Sequence, residues 1–492
     1  MFILPELTFE FYKASSPILV LILGSLISLM QSVSPWGRSR NVFSVLITSF
    51  VLSLFLMVQK QMTGVFLGGS FLFDDLTYFA QFFVLVLSLF VVFLFHGSYL
   101  KEKFFRAEIA AIFQMIVSGM LISVSSYDFV TIIVGLELAS LGLYALIGYV
   151  EPTQKSQEAA MKYLIMGSVA TAFVLFGMAL LYAGYGVLQL DELQKLAASV
   201  KPPIWSTAGA LFIVCGLAFK LALVPFHSWA PDAYEGAPTG LTAFMSTAVK
   251  VVILMLFFRM SHFAYQVFHV QWFNVIYAVC ILSMLVGNTL ALVQTSLKRM
   301  LAYSSVAHSG YMAIALSSLA FEKSQLLFTY QSVAFYLLSY VLASVVMFSV
   351  LSWLENEKLS NLQLDDMKGL AKTHPWASMA LTCALLSFAG FPPTIGFFAK
   401  LLIFKSAISA SLLILVLAGI IASVVGLFYY LRVVVYMYFH EPKESAFMPT
   451  HHAHLTVVIS SLAIFFILTM GTIFPGKLLH RLEPVFGTFV LK

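Results

Sequence analysis

Runs of about twenty apolar residues, the length that spans a bilayer as a helix, follow one another along this chain with little between them. Four ionised side chains, Glu137, Lys220, Lys250 and Lys400, each stand alone inside such a run. A charge at the centre of a membrane span costs about 2.5–3.5 kcal/mol on insertion scales, so a lone intramembrane Lys or Glu is kept for its chemistry. With 61% hydrophobic and 10% charged residues, the chain cannot wet the surface of a soluble globule. In lipid every backbone group must be satisfied internally, so the expected fold is all-α and polytopic.

The hydropathy pattern predicts about fourteen transmembrane helices, at 15–32, 41–59, 77–96, 107–126, 128–149, 160–184, 207–229, 239–259, 273–294, 300–319, 327–353, 376–406, 410–438 and 454–474. The longest polar stretches, 185–205 and 355–374, are too short to fold alone, so residues 1–492 form a single membrane domain. The start carries Pro5 and Glu6 where a secretory signal would be basic, so the first run stays as a span. Basic residues such as Arg38, Arg40, Lys101, Lys103 and Lys298 fall on loops of one side, which places the N-terminus outside. Cys215, Cys280 and Cys383 are isolated within apolar runs and suggest neither disulfides nor a zinc site. The formal charge of +5 is modest and no basic run interleaves with aromatics, which argues against nucleic acid.

Within span interiors proline occurs at Pro225 and at Pro392 and Pro393. Proline removes a backbone donor and clashes with the preceding turn, so both helices are expected to break, each near a buried lysine. Interrupted helices in matching places of two halves are the signature of inverted repeats. Helices four to eight, 107–259, would then pair with helices nine to thirteen, 273–438, although residue similarity between these halves is faint.

An amine in water holds its proton at neutral pH; burial weakens that hold and a neighbouring carboxylate strengthens it. A Glu137–Lys220 pair that forms and separates would load and release a proton, with Lys250 passing it toward Lys400. Moving one charge against the membrane potential costs about 2.3 kcal/mol per 100 mV, and no energy source is visible in the chain.

Secondary proton-path candidates are His308, among Ser304, Ser305 and Ser309, His227, just after Pro225, and Lys162, near Glu158. Each also has a plain reading, as a packing histidine, an interfacial histidine and a snorkelling lysine. Lys405 and Arg432 sit where snorkelling is favoured, and His451, His452 and His454 suit a solvated loop. Residues 471–477, GTIFPGK, match part of a phosphate-binding loop, but Leu478 replaces its Ser or Thr and the segment leaves a membrane helix. No residue pattern points to a metal, a nucleotide or a redox cofactor in this chain.

The run from Phe219 to Thr239, FKLALVPFHSWAPDAYEGAPT, resembles the seventh-span lysine, helix break and following loop of the antiporter-like membrane subunits of respiratory complex I, shared with multisubunit sodium/proton antiporters. Gly135-Leu136-Glu137 resembles the fifth-span glutamate of that family, Lys250 its eighth-span lysine, Tyr303 to Tyr311 its tenth-span motif, and Gly396 to Lys400 its twelfth-span segment. Tyr234-Glu235-Gly236, lysine at 400, the opening Leu4-Pro5-Glu6-Leu7 and the lack of a long lateral helix look like subunit N, called subunit 2 in mitochondria.

The resemblance implies a translocase subunit of NADH:quinone oxidoreductase in a bacterial inner membrane, assembled with other antiporter-like and small membrane subunits. Glu137 and Lys220 would take up the proton, Lys250 connect, and Lys400 carry it out. FMN, iron–sulfur clusters and quinone would belong to partner subunits. The rival readings are a subunit of a multisubunit Na⁺/H⁺ antiporter and a non-pumping membrane scaffold.

Overall fold

The computed structural model describes residues 8–33, 39–59, 62–98, 100–199, 203–318, 326–358, 362–442, 454–473 and 475–490. The opening 4–7 and the histidines 451 and 452 lie outside the described residues. The chain is helical nearly throughout: α1 (Ser16–Val33), α2 (Ser39–Val58), α3 (Asp75–His96), α4 (Ala107–Ser125), α5 (Phe129–Tyr149), α6 (Gln154–Tyr185), α7 (Ile204–Lys220) and α8 (Trp229–Gly236). Then come α9 (Thr239–Leu292), α10 (Leu297–Ser318), α11 (Leu326–Lys358), α12 (Pro375–Ala389), α13 (Ile395–Ser409), α14 (Leu413–Phe439), α15 (His454–Ile473) and α16 (Pro475–Val490).

Among the described residues ten helical stretches are long and apolar enough to cross a membrane, two of them consecutive parts of α9. Shorter apolar helices include α7 and α12. The all-α polytopic expectation holds, with one addition: β1 (Gly64–Phe66) and β2 (Phe71–Phe73) form an antiparallel hairpin in the loop before α3. Its turn needs left-handed backbone at Leu67, Gly68 and Gly69, and two of these are glycines, which adopt it without a Cβ clash.

Local sequence sets the helix starts. Asp128 accepts from the backbone N–H of Val130 at 3.1 Å and of Thr131 at 3.2 Å, satisfying donors that would otherwise be orphaned at the start of α5. Thr153 and Ser156 form a reciprocal capping box at the start of α6.

The chain divides into two compact units. The first holds α1, α2, most of α3, α4 to α7 and residues 248–269 of α9; in it α4 packs on α5 and α6 on α7. The second holds residues 221–247, the rest of α9 and α10 to α16; in it α11 packs against α12, α13 and α15.

Both expected helix breaks are present, but the first lies earlier than its proline. The span expected at 207–229 ends as a helix at Lys220, and Ala222 takes a left-handed φ of 56°. Lys220 is therefore the last residue of a helix and not an interior residue of the span expected at 207–229. Pro225 offers no N–H to the carbonyl four residues back, that of Leu221, and Ser309 Oγ donates to that oxygen at 2.7 Å instead. The N–H of Val224 donates to Ser283 Oγ at 2.9 Å. The span expected at 376–406 is likewise two helices, α12 and α13, separated by Gly390 to Thr394.

Candidate functional site

In the first unit, Lys220 at the end of α7 reaches α5. Its Nζ lies 3.2 Å from Glu137 Oε1 and donates to Ser140 Oγ at 2.6 Å. Thr171 Oγ1, on α6, donates to the same Glu137 oxygen at 2.7 Å. Three helices thus converge on one carboxylate. The lysine side chain is 6% exposed and the glutamate 25%, so the pair is sealed on the amine side and more open on the acid side. Close backbone contact fixes α5 here: a Cβ at Gly135, two residues before Glu137, would come within 2.6 Å of the Gly119 carbonyl on α4. An ion pair of this kind, hydrogen-bonded by hydroxyls rather than locked by further charges, can exchange a proton between its members at little geometric cost.

Lys250 belongs to the same unit and sits in the first apolar stretch of α9, Thr239–Ser261, which is buried from Thr239 to Met260. It is 2% exposed and lies in unbroken helix, unlike Lys220 and Lys400.

In the second unit, α12 ends in a Schellman motif. The N–H of Phe391 bonds the Leu386 carbonyl and that of Gly390 bonds the Ser387 carbonyl, with Gly390 at a left-handed φ of 78°. Pro393 has no N–H for the carbonyl of Ala389. That oxygen accepts instead from Lys400 Nζ at 2.7 Å and from Ser423 Oγ at 3.3 Å. Lys400 also donates to Ser423 Oγ at 2.7 Å and lies 4.9 Å from the centre of the Tyr311 ring, a cation–π distance. A cavity of about 600 Å³ opens beside it, lined by Phe397, Leu401, Phe404 and Ile420 among others.

His308 is buried on α10 with both ring nitrogens hydrogen-bonded, Nδ1 to Tyr336 at 2.8 Å and Nε2 to Tyr430 at 3.2 Å. His227 packs near Tyr303 with ring centres 6.4 Å apart. Lys162 forms an exposed pair with Glu158, one turn earlier on α6, at 2.7 Å. Of the residues singled out in the sequence, the structure brings Glu137 and Lys220 into contact. Lys400 and His308 each have their own partners in the second unit.

Several buried polar groups escaped the sequence reading. Arg259 donates to Asp74 and Thr77 in the first unit, at 3.0 and 2.7 Å. Arg432, expected to snorkel, instead donates to the carbonyls of Leu292 and Gln294 at the end of α9. Lys298, assigned to a loop, is buried against Glu355. Lys298 and Arg432 lie toward helix ends and Arg259 at the end of the first apolar stretch of α9, where charge is ordinary and hydropathy raises no flag; only the pairing in space marks them.

The chain is similar to known membrane proteins along most of its length. The family described as NADH:quinone oxidoreductase/Mrp antiporter, TM, matches residues 126–426. NADH-quinone oxidoreductase subunit N of Thiobacillus denitrificans is 32% identical over 99% of this chain and 99% of its own length. Subunit N 1 of Thermodesulfovibrio yellowstonii is 35% identical over 97% and 96%. A chain of respiratory complex I from Thermus thermophilus superposes with a TM-score of 0.79 at 29% identity, covering 94% of this chain and 98% of that one. A chain of the Mrp complex from Dietzia, with a TM-score of 0.80 but 20% identity over 96% of each, shares the fold. The chain belongs to the NADH:quinone oxidoreductase/Mrp antiporter family of multi-pass membrane subunits, whose members work within multisubunit enzyme complexes, and is most like subunit N.

Proposed function

We propose that this chain carries protons across a bacterial inner membrane as a subunit of NADH:quinone oxidoreductase, through Glu137, Lys220, Lys250 and Lys400. Other membrane subunits of the complex are its partners. Quinone reduction in subunits bearing FMN and iron–sulfur clusters supplies the energy. Residues 107–259 and 273–438 act as two repeats within one membrane domain, and the N-terminus faces the periplasm. Glu137 and Lys220 take up the proton, Lys250 connects and Lys400 releases it, with His308, His227 and Lys162 as auxiliary positions.

The observation that carries this reading is the contact of Lys220 with Glu137 and Ser140 at a helix end whose continuation is broken by Pro225. A charge pair at a broken helix can separate by a small backbone movement, whereas one between continuous helices is held by their packing. An amine released from its carboxylate in a dry site gives up its proton, and the re-formed pair takes one back.

The test is Lys220→Met in the intact complex, measured as NADH-driven acidification of inside-out membrane vesicles. Assembly is expected to persist and acidification to fall by about tenfold or more, the scale of a lost proton-transfer group. Full acidification from an assembled K220M complex would leave the chain a scaffold. Acidification sustained only when Na⁺ is present would favour cation exchange.

A further inference from the structure

Lys298, the second residue of α10, is buried against Glu355 near the end of α11, with Nζ 3.4 Å from Oε1 and side chains 5% and 8% exposed. Thr239, the first residue of α9, donates through Oγ1 to Glu355 Oε2, and Lys298 also donates to the Ala237 carbonyl at 3.1 Å. Threonine, glutamate and lysine from separate helices thus repeat the chemistry of Thr171, Glu137 and Lys220, in a more buried setting. Water is close: the next residue, Arg299, is 32% exposed and pairs with Asp232 at 2.6 Å and Glu235 at 3.2 Å. Also titratable at this end are His374, whose ring packs on Trp353 at 5.1 Å, and, on the segment hydrogen-bonded to Thr295 and Leu297, Asp366, which accepts from the Gln363 N–H, and Asp365, which pairs with Lys368 at 2.9 Å.

Inward from the pair, α10 presents a polar stripe. Ser305 and His308 follow Lys298 by two and about three helical turns on the same face. Ser305 accepts from Tyr340 at 3.1 Å and lies 3.5 Å from the Tyr234 hydroxyl. His308 sits between Tyr336 and Tyr430, and Tyr430 also meets Ser304 at 2.5 Å. A neutral imidazole has one donor and one acceptor nitrogen. A proton accepted at one nitrogen is therefore matched by one given up at the other, and no charge stays in the buried site.

We propose that Glu355 with Lys298 is a second proton-exchange port, by which water at the Arg299 end of α10 exchanges protons with the Ser305 and His308 column. In the uptake step a hydronium ion gives its proton to Glu355. An O–H bond forms on the carboxylate, water leaves, and the ion pair with Lys298 dissolves. The carboxyl then passes that proton to a water or hydroxyl of the column, and the carboxylate pairs with Lys298 again. The proposal rests on the proton-carrying reading above.

The test uses the intact complex in inside-out vesicles with E355Q, which keeps the side-chain shape and one acceptor oxygen but cannot titrate. Normal assembly and NADH oxidation with acidification lowered about tenfold supports the port. Normal assembly with unchanged acidification overturns it and leaves a structural clamp. Where E355Q impairs assembly, K298M/E355M is used, because apolar replacement of a whole buried pair is often neutral or stabilising; full acidification by that variant overturns the port and loss of acidification supports it. K220M is run beside them. If K220M acidifies fully, the proton-carrying reading fails and the port with it. If K220M is inactive while E355Q is normal, the port alone fails.

Discussion

Lys220 and Lys400 are both held at helix breaks, but by different chemistry. Lys220 ends α7 and faces a carboxylate and a hydroxyl. Lys400 lies in the second turn of α13 and faces a hydroxyl and the backbone carbonyl that Pro393 leaves without an N–H. The first amine is held by a charge that protonation can cancel. The second is held by neutral dipoles, which bind the ammonium less strongly and release it without a partner changing charge. Both amines keep a hydroxyl partner, and at Lys220 the 2.6 Å contact with Ser140 is what remains when Glu137 lets go. Ser140→Ala leaves a buried ammonium short of an acceptor, at a cost of about 1–3 kcal/mol. Acidification by vesicles carrying Ser140→Ala is expected to fall about tenfold with the complex still assembled. An unchanged rate would mean that the hydroxyl has no part in proton release.

The two breaks were legible as elements because proline inside an apolar run has few tolerable placements, and Pro225, Pro392 and Pro393 mark them. Their positions were less legible. The end of α7 falls at Lys220, five residues before Pro225, because the carbonyl of Leu221 is satisfied by Ser309 and the N–H of Val224 by Ser283. Partners distant in sequence decide where a helix can stop, and hydropathy does not contain them. At the second break the stop is local: Gly390 adopts a left-handed φ of 78°, and a Cβ there would lie 2.7 Å from Lys400 Cδ. Gly390→Ala carries the left-handed penalty of about 1–2 kcal/mol and also pushes the lysine aside. Lower thermal stability of the purified complex and slowed acidification are expected together. Stability lost with acidification intact would separate Lys400 from its perch on the break.

At the scale of the whole chain, the lone charges of the apolar runs were the readable part of the site, since Glu137, Lys220, Lys250 and Lys400 stand out against any hydropathy profile. Charges paired near helix ends, such as Lys298 with Glu355, were not, because composition alone does not distinguish a buried end from a wetted one. This difference bears on what holds the molecule together. The fold comes from apolar packing of helix on helix, and a buried ion pair adds little net stability over apolar residues of similar volume. Removing one member alone is costly, because the other is left charged in a dry site. The combined variant E137Q/K220M/K250M/K400M deletes the four charges without leaving an orphan among them. It is expected to assemble and to melt within about 2 kcal/mol of the unmodified complex, on the scale of ordinary substitutions, while acidification is lost. Native gel migration and a thermal melt check the first outcome, and vesicle acidification the second. A quadruple variant that fails to assemble would show that these charges hold the helices together. One that assembles and acidifies normally would remove them from the proton path.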